Sequence, residues 1–208
     1  KKDYKGRSNA LFINQGNNAE GIPVFKEMAK EYGLDAPGTF STQAYFLDYD
    51  LDGDLDLFLL NHANKFYNTL LNVKALRNIR HPYYGNKLFE NRGNSFVEVS
   101  EESAIKGTGI NFGLSAAVSD LNNDGYPDIY VTNDYTEQDF CYINNQDGSF
   151  KEVLKSAFGH LSKFSMGSDI ADLNNDQKPD VFVLDMLPED NYRQKVLKGP
   201  DQFNRERT

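Results

Sequence analysis

The sequence predicts an all-β chain assembled from three copies of one four-stranded antiparallel unit. Three observations lead there. A pattern of four features recurs three times in the same order, its segments are short and bounded by glycine and asparagine, and an acidic cluster occupies the same place in each copy. Composition agrees: 12 Tyr and 15 Phe without Trp give 13% aromatic residues, a content that favours strands over a helical bundle. With 208 residues, 39% hydrophobic and 25% charged, the chain has ordinary globular composition.

The first element of each copy is NALFINQGN (9–17), NKLFENRGN (86–94) or FCYINNQDG (140–148), a strand that closes on a turn glycine, Gly16, Gly93 or Gly148. Its hairpin partner follows as VFKEM from Val24, SFVEV from Ser95 or SFKEV from Ser149. The third element has an aromatic, Phe40, Phe112 or Phe164, eight residues before the acidic cluster, then an apolar small-residue run: QAYFL, LSAAVS or SDIA. The fourth alternates (Leu55, Leu57, Leu59; Ile129, Val131; Val181, Val183) and ends at Asn61, Asn133 or Asp185. This order predicts a single repeat region over 1–208, with units at about 9–85, 86–139 and 140–190 and the acidic loop between the last two strands of each. Four-stranded antiparallel sheets repeated in this way are the blades of a β-propeller. Closed propellers have about 4–8 blades, so three units form part of a larger propeller or an open arc whose ends a partner covers.

The first and second clusters are 72 residues apart and the second and third 52, which assigns an insert to the first unit. There Leu70, Val73 and Leu76 recur at helical spacing beside Lys74, Arg77 and Arg80, a basic helical cover or a recognition element. Residues 191–208 are a second insert or a linker.

The acidic loops are DYDLDGDLD, DLNNDGYPD and DLNNDQKPD. Loop positions 1, 3, 5 and 9 are Asp48, Asp50, Asp52 and Asp56; then Asp120, Asn122, Asp124 and Asp128; then Asp172, Asn174, Asp176 and Asp180. Alternate oxygen side chains on a tight loop converge on one centre, and without a cation they repel one another. Hard oxygen donors without His or Cys point to a divalent cation, and calcium suits six to eight oxygens in a forgiving geometry better than magnesium. Position 7 adds a backbone carbonyl from Asp54, Tyr126 or Lys178. Up to three calcium ions are expected. The third site is the weakest, because Gln177 replaces the glycine of position 6. An EF-hand requires Glu at position 12, where this chain has Leu59, Val131 and Val183.

Net charge is −9, which disfavours nucleic acid and anionic membrane surfaces as partners. No apolar run approaches the ~18 residues of a membrane span, so direct membrane insertion is not expected, and any export signal lies outside KKDYKGRSN. Cys141 lies in a strand as a core residue. His62, His81 and His160 share no unit position and read as packing or surface residues. No nucleophile elbow, P-loop or Cys/His pair appears. Glu98, Glu101, Glu102, Glu137 and Asp139 stand outside the metal loops without a pattern.

At the acidic loops the sequence resembles the FG-GAP/VCBS family of β-propeller repeats, and its blades look like the calcium-binding blades of integrin α-subunits. The motif D-x-[DN]-x-[DN]-G-x-x-D matches the first two loops in full and the third except at Gln177. LF-x-N, F-x-E-V and the DMLPEDNYRQK tail are similar to secreted bacterial members related to cartilage acidic protein. The resemblance implies an extracellular or cell-surface, calcium-stabilised propeller that binds a protein or glycan ligand or serves adhesion and catalyses no reaction. Two alternatives stay open: a noncatalytic subunit of a larger outer-membrane or cell-surface assembly, and a carbohydrate-processing enzyme whose catalytic groups lie outside these motifs.

Overall fold

The computed structural model describes residues 6–64, 76–135, 137–186, 190 and 192. Twelve strands run along them, and all pairings between strands are antiparallel. β1 (Phe12–Asn17) and β2 (Pro23–Glu27) form a two-stranded sheet. β3 (Ser41–Leu47), β4 (Asp56–Asn61), β5 (Lys87–Asn91) and β6 (Phe96–Glu98) form a four-stranded sheet in chain order. β7 (Gly113–Ser119), β8 (Asp128–Asn133), β9 (Phe140–Asn144) and β10 (Phe150–Glu152) form a second. β11 (Ser165–Ala171) and β12 (Asp180–Asp185) make another two-stranded sheet. The architecture is all-β, made of β-propeller blades that do not close into a ring.

The strands follow the sequence pattern, but the blades are cut in a different phase. Each acidic loop joins the first two strands of its sheet, not the last two, and the LF-x-N/F-x-E hairpin supplies the outer pair of the same sheet. Complete blades therefore span 41–98 and 113–152, in place of 86–139 and the other expected units. The physical reason is a long-range pairing. Leu57, Phe58 and Leu59 of β4 pair with Phe89, Leu88 and Lys87 of β5, and Ile129, Tyr130 and Val131 of β8 with Tyr142, Cys141 and Phe140 of β9. A repeat read along a line has no preferred starting point; these hydrogen bonds choose one.

Alternation along each strand sends side chains to both faces, and both are buried between blades. Phe58, Leu60 and Leu88 leave one face of the first blade to pack on Ile129, Val131, Phe140, Tyr142 and Phe150 of the second. Tyr130 and Cys141, on the opposite face of the second blade, meet Val181 and Val183 of the terminal half-blade. Leu57, Leu59 and Phe89 pack back on Leu11, Leu34 and Tyr32, the last from the single-turn helix α1 (Ala29–Tyr32). A second single turn, α2 (Leu154–Ala157), inserts Leu154 beside Cys141. Innermost strands lie side by side: Thr42 Oγ1 donates to Gly113 O (2.9 Å), and Ala116 N donates to Gln43 Oε1 (2.6 Å).

The aromatic that precedes each cluster has a repeated backbone role. The carbonyls of Phe40, Phe112 and Phe164 accept the N–H of His62, Asp134 and Met186, the residues just after β4, β8 and β12, at 2.8, 3.0 and 3.1 Å. His62 and His81 pack on aromatic rings, Phe112 and Tyr84, as expected. Cys141 is buried, and burial pushes its thiol up to about 12.

Four charged residues outside the loops make specific bonds. Arg77 stays exposed, as a solvated cover would, yet both it and Arg80 bond to the blades. Arg77 Nε pairs with Glu137 Oε1 at 2.9 Å, and Arg80 donates to the carbonyls of Ser100 and Ile105. Glu137 and Asp139, which show no pattern in the sequence, are buried and bonded: Glu137 to Arg77 and Thr108, Asp139 to Asn133 N, Tyr130 Oη and Ser165 Oγ. Burying a carboxylate without such partners is costly, which is why both are enclosed by donors. The helical spacing through Leu70, Val73 and Lys74, and nearly all of the 191–208 segment, lie outside the described residues.

Candidate metal centre

Each acidic loop connects an innermost strand to the next one, β3 to β4, β7 to β8 and β11 to β12, and all three have the same backbone path. Position 4 adopts positive φ in Leu51, Asn123 and Asn175 (60, 58 and 62°), and position 6 does so in Gly53, Gly125 and Gln177 (95, 91 and 68°). The double left-handed bend curls the loop so that alternate side chains turn inward.

In the first loop Asp48, Asp50 and Asp56 each place a carboxylate oxygen within 4.8 Å of the others, an arrangement that can hold a metal ion. Asp52 stands outside that trio; its Oδ1 accepts the N–H of Asp54 at 3.0 Å. Asp54 contributes a buried carboxylate oxygen, Oδ1, with no hydrogen-bond partner. A shielded, unsatisfied anionic oxygen beside three converging carboxylates fits a hard cation.

The second and third loops repeat one bonding scheme. Asp120 Oδ1 and Oδ2 accept the N–H groups of Asp124 (3.0 Å) and Gly125 (2.8 Å), and Asn122 Oδ1 also accepts from Asp124 N. Tyr126 N donates to Asp124 Oδ1 at 2.9 Å. Asp172 accepts from Asp176 and Gln177, Asn174 from Asp176, and Asp176 Oδ1 from Lys178 N (3.0 Å). Lys178 Nζ lies 3.8 Å from Asp176 Oδ2, an ammonium already placed at a candidate ligand of the third loop. Each carboxylate oxygen can accept more than one bond, so these turns leave lone pairs for a cation.

Position 9 is more than a ligand position. Asp56, Asp128 and Asp180 accept, through Oδ2, the N–H of loop position 2: Tyr49, Leu121 and Leu173 at 3.2, 2.8 and 3.0 Å. In the complete blades Oδ1 also accepts a backbone N–H from the third strand, Asn91 to Asp56 and Asn144 to Asp128, both 2.8 Å. The aspartate thus pins its loop to the outer half of the blade. Asn91, Asn144 and Tyr49 belong to this assembly, although sequence spacing alone does not single them out; the shared Asn of LF-x-N was the available signal. Gln146 is a further addition, its Nε2 donating to Asp124 Oδ2 at 3.1 Å.

Electrostatics separates the loops. Burial, then repulsion from Asp52, raises the Asp50 carboxyl above its usual range, and burial pushes Asp56 up to about 6. Desolvation and Asp52 raise Asp54 as well. Asp128 is raised by burial, whereas Asp124 is lowered by the Tyr126 N–H and then by the amides of Gln146 and Asn122. The all-aspartate first loop carries the stored repulsion that a dication relieves; the second relieves part of its own with amide donors.

The profile of the FG-GAP-like repeat matches residues 78–131 and 120–183, together just over half of the chain. The matches cover the second and third acidic loops and the hairpin of 87–98, and the first loop repeats the same geometry outside them. The chain belongs to the FG-GAP-like repeat family. FG-GAP repeats often bind calcium and are typically extracellular. No curated protein matches the chain. Among the described residues, no helix is long and apolar enough to cross a membrane.

Proposed function

We propose that this chain is an extracellular, calcium-stabilised β-propeller repeat module that binds a protein or glycan ligand at the cell surface or mediates adhesion, without catalysing a reaction. The observation that carries the calcium reading is the Asp48, Asp50 and Asp56 trio beside the unsatisfied Asp54 oxygen. Side chains at positions 1, 3, 5 and 9 of each loop and the backbone carbonyls of Asp54, Tyr126 and Lys178 would hold the ions. Bound calcium supplies charge neutralisation and fixes the loops; it supplies no reaction. A binding role fits the family and a scaffold whose buried acids, Glu137 and Asp139, are committed to structural bonds. The test is thermal unfolding with calcium, with magnesium and with chelator, beside calcorimetric calcium titration. Calcium raises the melting temperature of the native chain, magnesium raises it less, and Asp50→Ala abolishes the tightest site. Equal melting in calcium and in chelator would sink the reading.

A noncatalytic place in a larger surface assembly is the second reading. It is favoured by apolar side chains left open at both ends of the blade stack, Phe12 at one and Phe182 at the other.

A further inference from the structure

The third strand of each complete blade ends in an asparagine, Asn91 or Asn144, and two residues later the backbone turns through positive φ. The asparagine side chain fixes that bend: Gly93 N donates to Asn91 Oδ1 at 3.0 Å, and Gln146 N to Asn144 Oδ1 at 2.8 Å. Gly93 reaches a φ of 83° without steric cost, whereas Gln146 is held at 65° with a side chain attached. Strain of this kind persists only where surrounding contacts hold it.

The asparagine makes the same two contacts with the acidic loop in both blades. Asn91 N and Asn144 N donate to Oδ1 of the position-9 aspartates, both at 2.8 Å. Their Nδ2 atoms donate to the position-8 carbonyls of Leu55 (3.2 Å) and Pro127 (3.3 Å). The second blade adds a third contact: Gln146 Nε2 donates to Asp124 Oδ2 at 3.1 Å, across 22 residues of chain. Asn122 Nδ2 meets the same oxygen at 2.9 Å, and Tyr126 N takes one lone pair of Oδ1. Gly93 has no side chain with which to do likewise. Asp52, the position-5 residue of the first loop, accepts a bond from Asp54 N and from no other described residue. It stands outside the Asp48, Asp50 and Asp56 trio.

We propose that Gln146 is a positioning residue for the second calcium site, holding the Asp124 carboxylate so that Oδ1 is the oxygen offered to the ion. The inference rests on the calcium reading of these loops. Two amide donors occupy Oδ2, while Oδ1 keeps a lone pair beside the one taken by Tyr126 N. The carboxylate therefore has one orientation and one free place. Hydrogen-bond partners that orient a metal ligand spare the ion the cost of ordering it, and their loss lowers affinity by about 10–100-fold. The turn after β9 thus grips loop positions 5, 8 and 9, so that calcium at this loop and the β9–β10 hairpin stabilise one another. In the first blade the equivalent turn grips positions 8 and 9.

Calorimetric calcium titration tests this in a parent chain carrying Asp50→Ala and Asp176→Ala, which leaves the second loop as the site to be read. Gln146→Met keeps the length of the side chain and removes its amide. Gln146→Asn accepts left-handed backbone but is one methylene shorter than the glutamine that reaches Asp124. Each is expected to weaken calcium binding about tenfold, with melting in chelator close to that of the parent. Ser149→Ala removes the bonds that Ser149 Oγ makes to Asn145 (2.9 Å) and Asp147 (2.6 Å) within the same turn, without touching the loop. It is expected to lower melting in chelator and to leave calcium affinity at the parent value. In the otherwise native chain, Gln146→Met and Gln146→Asn should reduce the rise in melting temperature that calcium gives. Parent affinity in both glutamine variants would overturn the role of Gln146 and leave the calcium reading standing, as would an equal loss in Ser149→Ala. A parent chain that binds no calcium would remove the calcium reading at this loop, and the inference with it.

Discussion

At loop position 6, Gly53 and Gly125 adopt φ near +90° without steric cost, whereas Gln177 is held at +68° with a side chain attached. Replacing Gln177 with Gly is expected to raise stability by about 1 kcal/mol, read as a higher urea midpoint at unchanged slope, and to tighten the third loop for calcium. Equal losses of calcium affinity in Asp124→Ala and Asp176→Ala, measured by calcium titration, would count against the third loop being the weakest site. Asp56 provides the pH test. Its folded pKa, pushed up to about 6 by burial, exceeds the ordinary value of 3.8, so the native state holds the proton more tightly than the unfolded chain. The resulting stability is present in full below the ordinary carboxylate range and is lost as pH rises through about 6. In chelator, Asp56→Asn therefore gains on the native protein in melting temperature between pH 4 and pH 7. In saturating calcium that trend reverses, because the ionised carboxylate is then a ligand.

Among the elements, the contact between the second blade and β11 turns on Asp139, whose Oδ1 accepts Asn133 N (2.7 Å) and whose Oδ2 accepts Tyr130 Oη and Ser165 Oγ (both 2.8 Å). At the preceding blade the same backbone bond, Asn61 N to a side-chain oxygen, goes to Asn86 at 3.1 Å. A neutral amide thus serves where the geometry recurs. Asp139→Asn should be mild, since both hydroxyls can turn to suit an amide. Asp139→Ala, which strands three buried donors, should cost about 3 kcal/mol in denaturant unfolding. Strand identities and hairpins were legible here, since alternation and turn glycines report local geometry. Pairing was not: β4 reaches β5 across residues 62–86, and no local pattern records that closure.

Over the whole molecule, the first loop is coupled to the interface between the complete blades. Tyr49, its second residue, lies in the core shared by both blades, meets the Phe150 ring at a tilt (6.1 Å between centroids) and accepts Asn144 Nδ2 at 2.7 Å through its carbonyl. Calcium at that loop should stiffen its neighbour as well. Chelation is expected to speed hydrogen exchange at the amide of Asn144 more than at amides of β1–β2, measured by exchange mass spectrometry on the same sample. Equal acceleration at both would show that the loop acts alone.

From the sequence alone came the all-β class, the twelve strands, the three loops and their oxygen-donor chemistry, because each depends on residues within about nine positions of one another. Only the tertiary structure decided which hairpin joins which loop, that position 9 pins a loop to an outer strand, and that Arg77, Glu137 and Asp139 are structural. Those facts rest on contacts between segments far apart in the chain, whose partners are selected by shared burial and hydrogen-bond geometry, not by spacing.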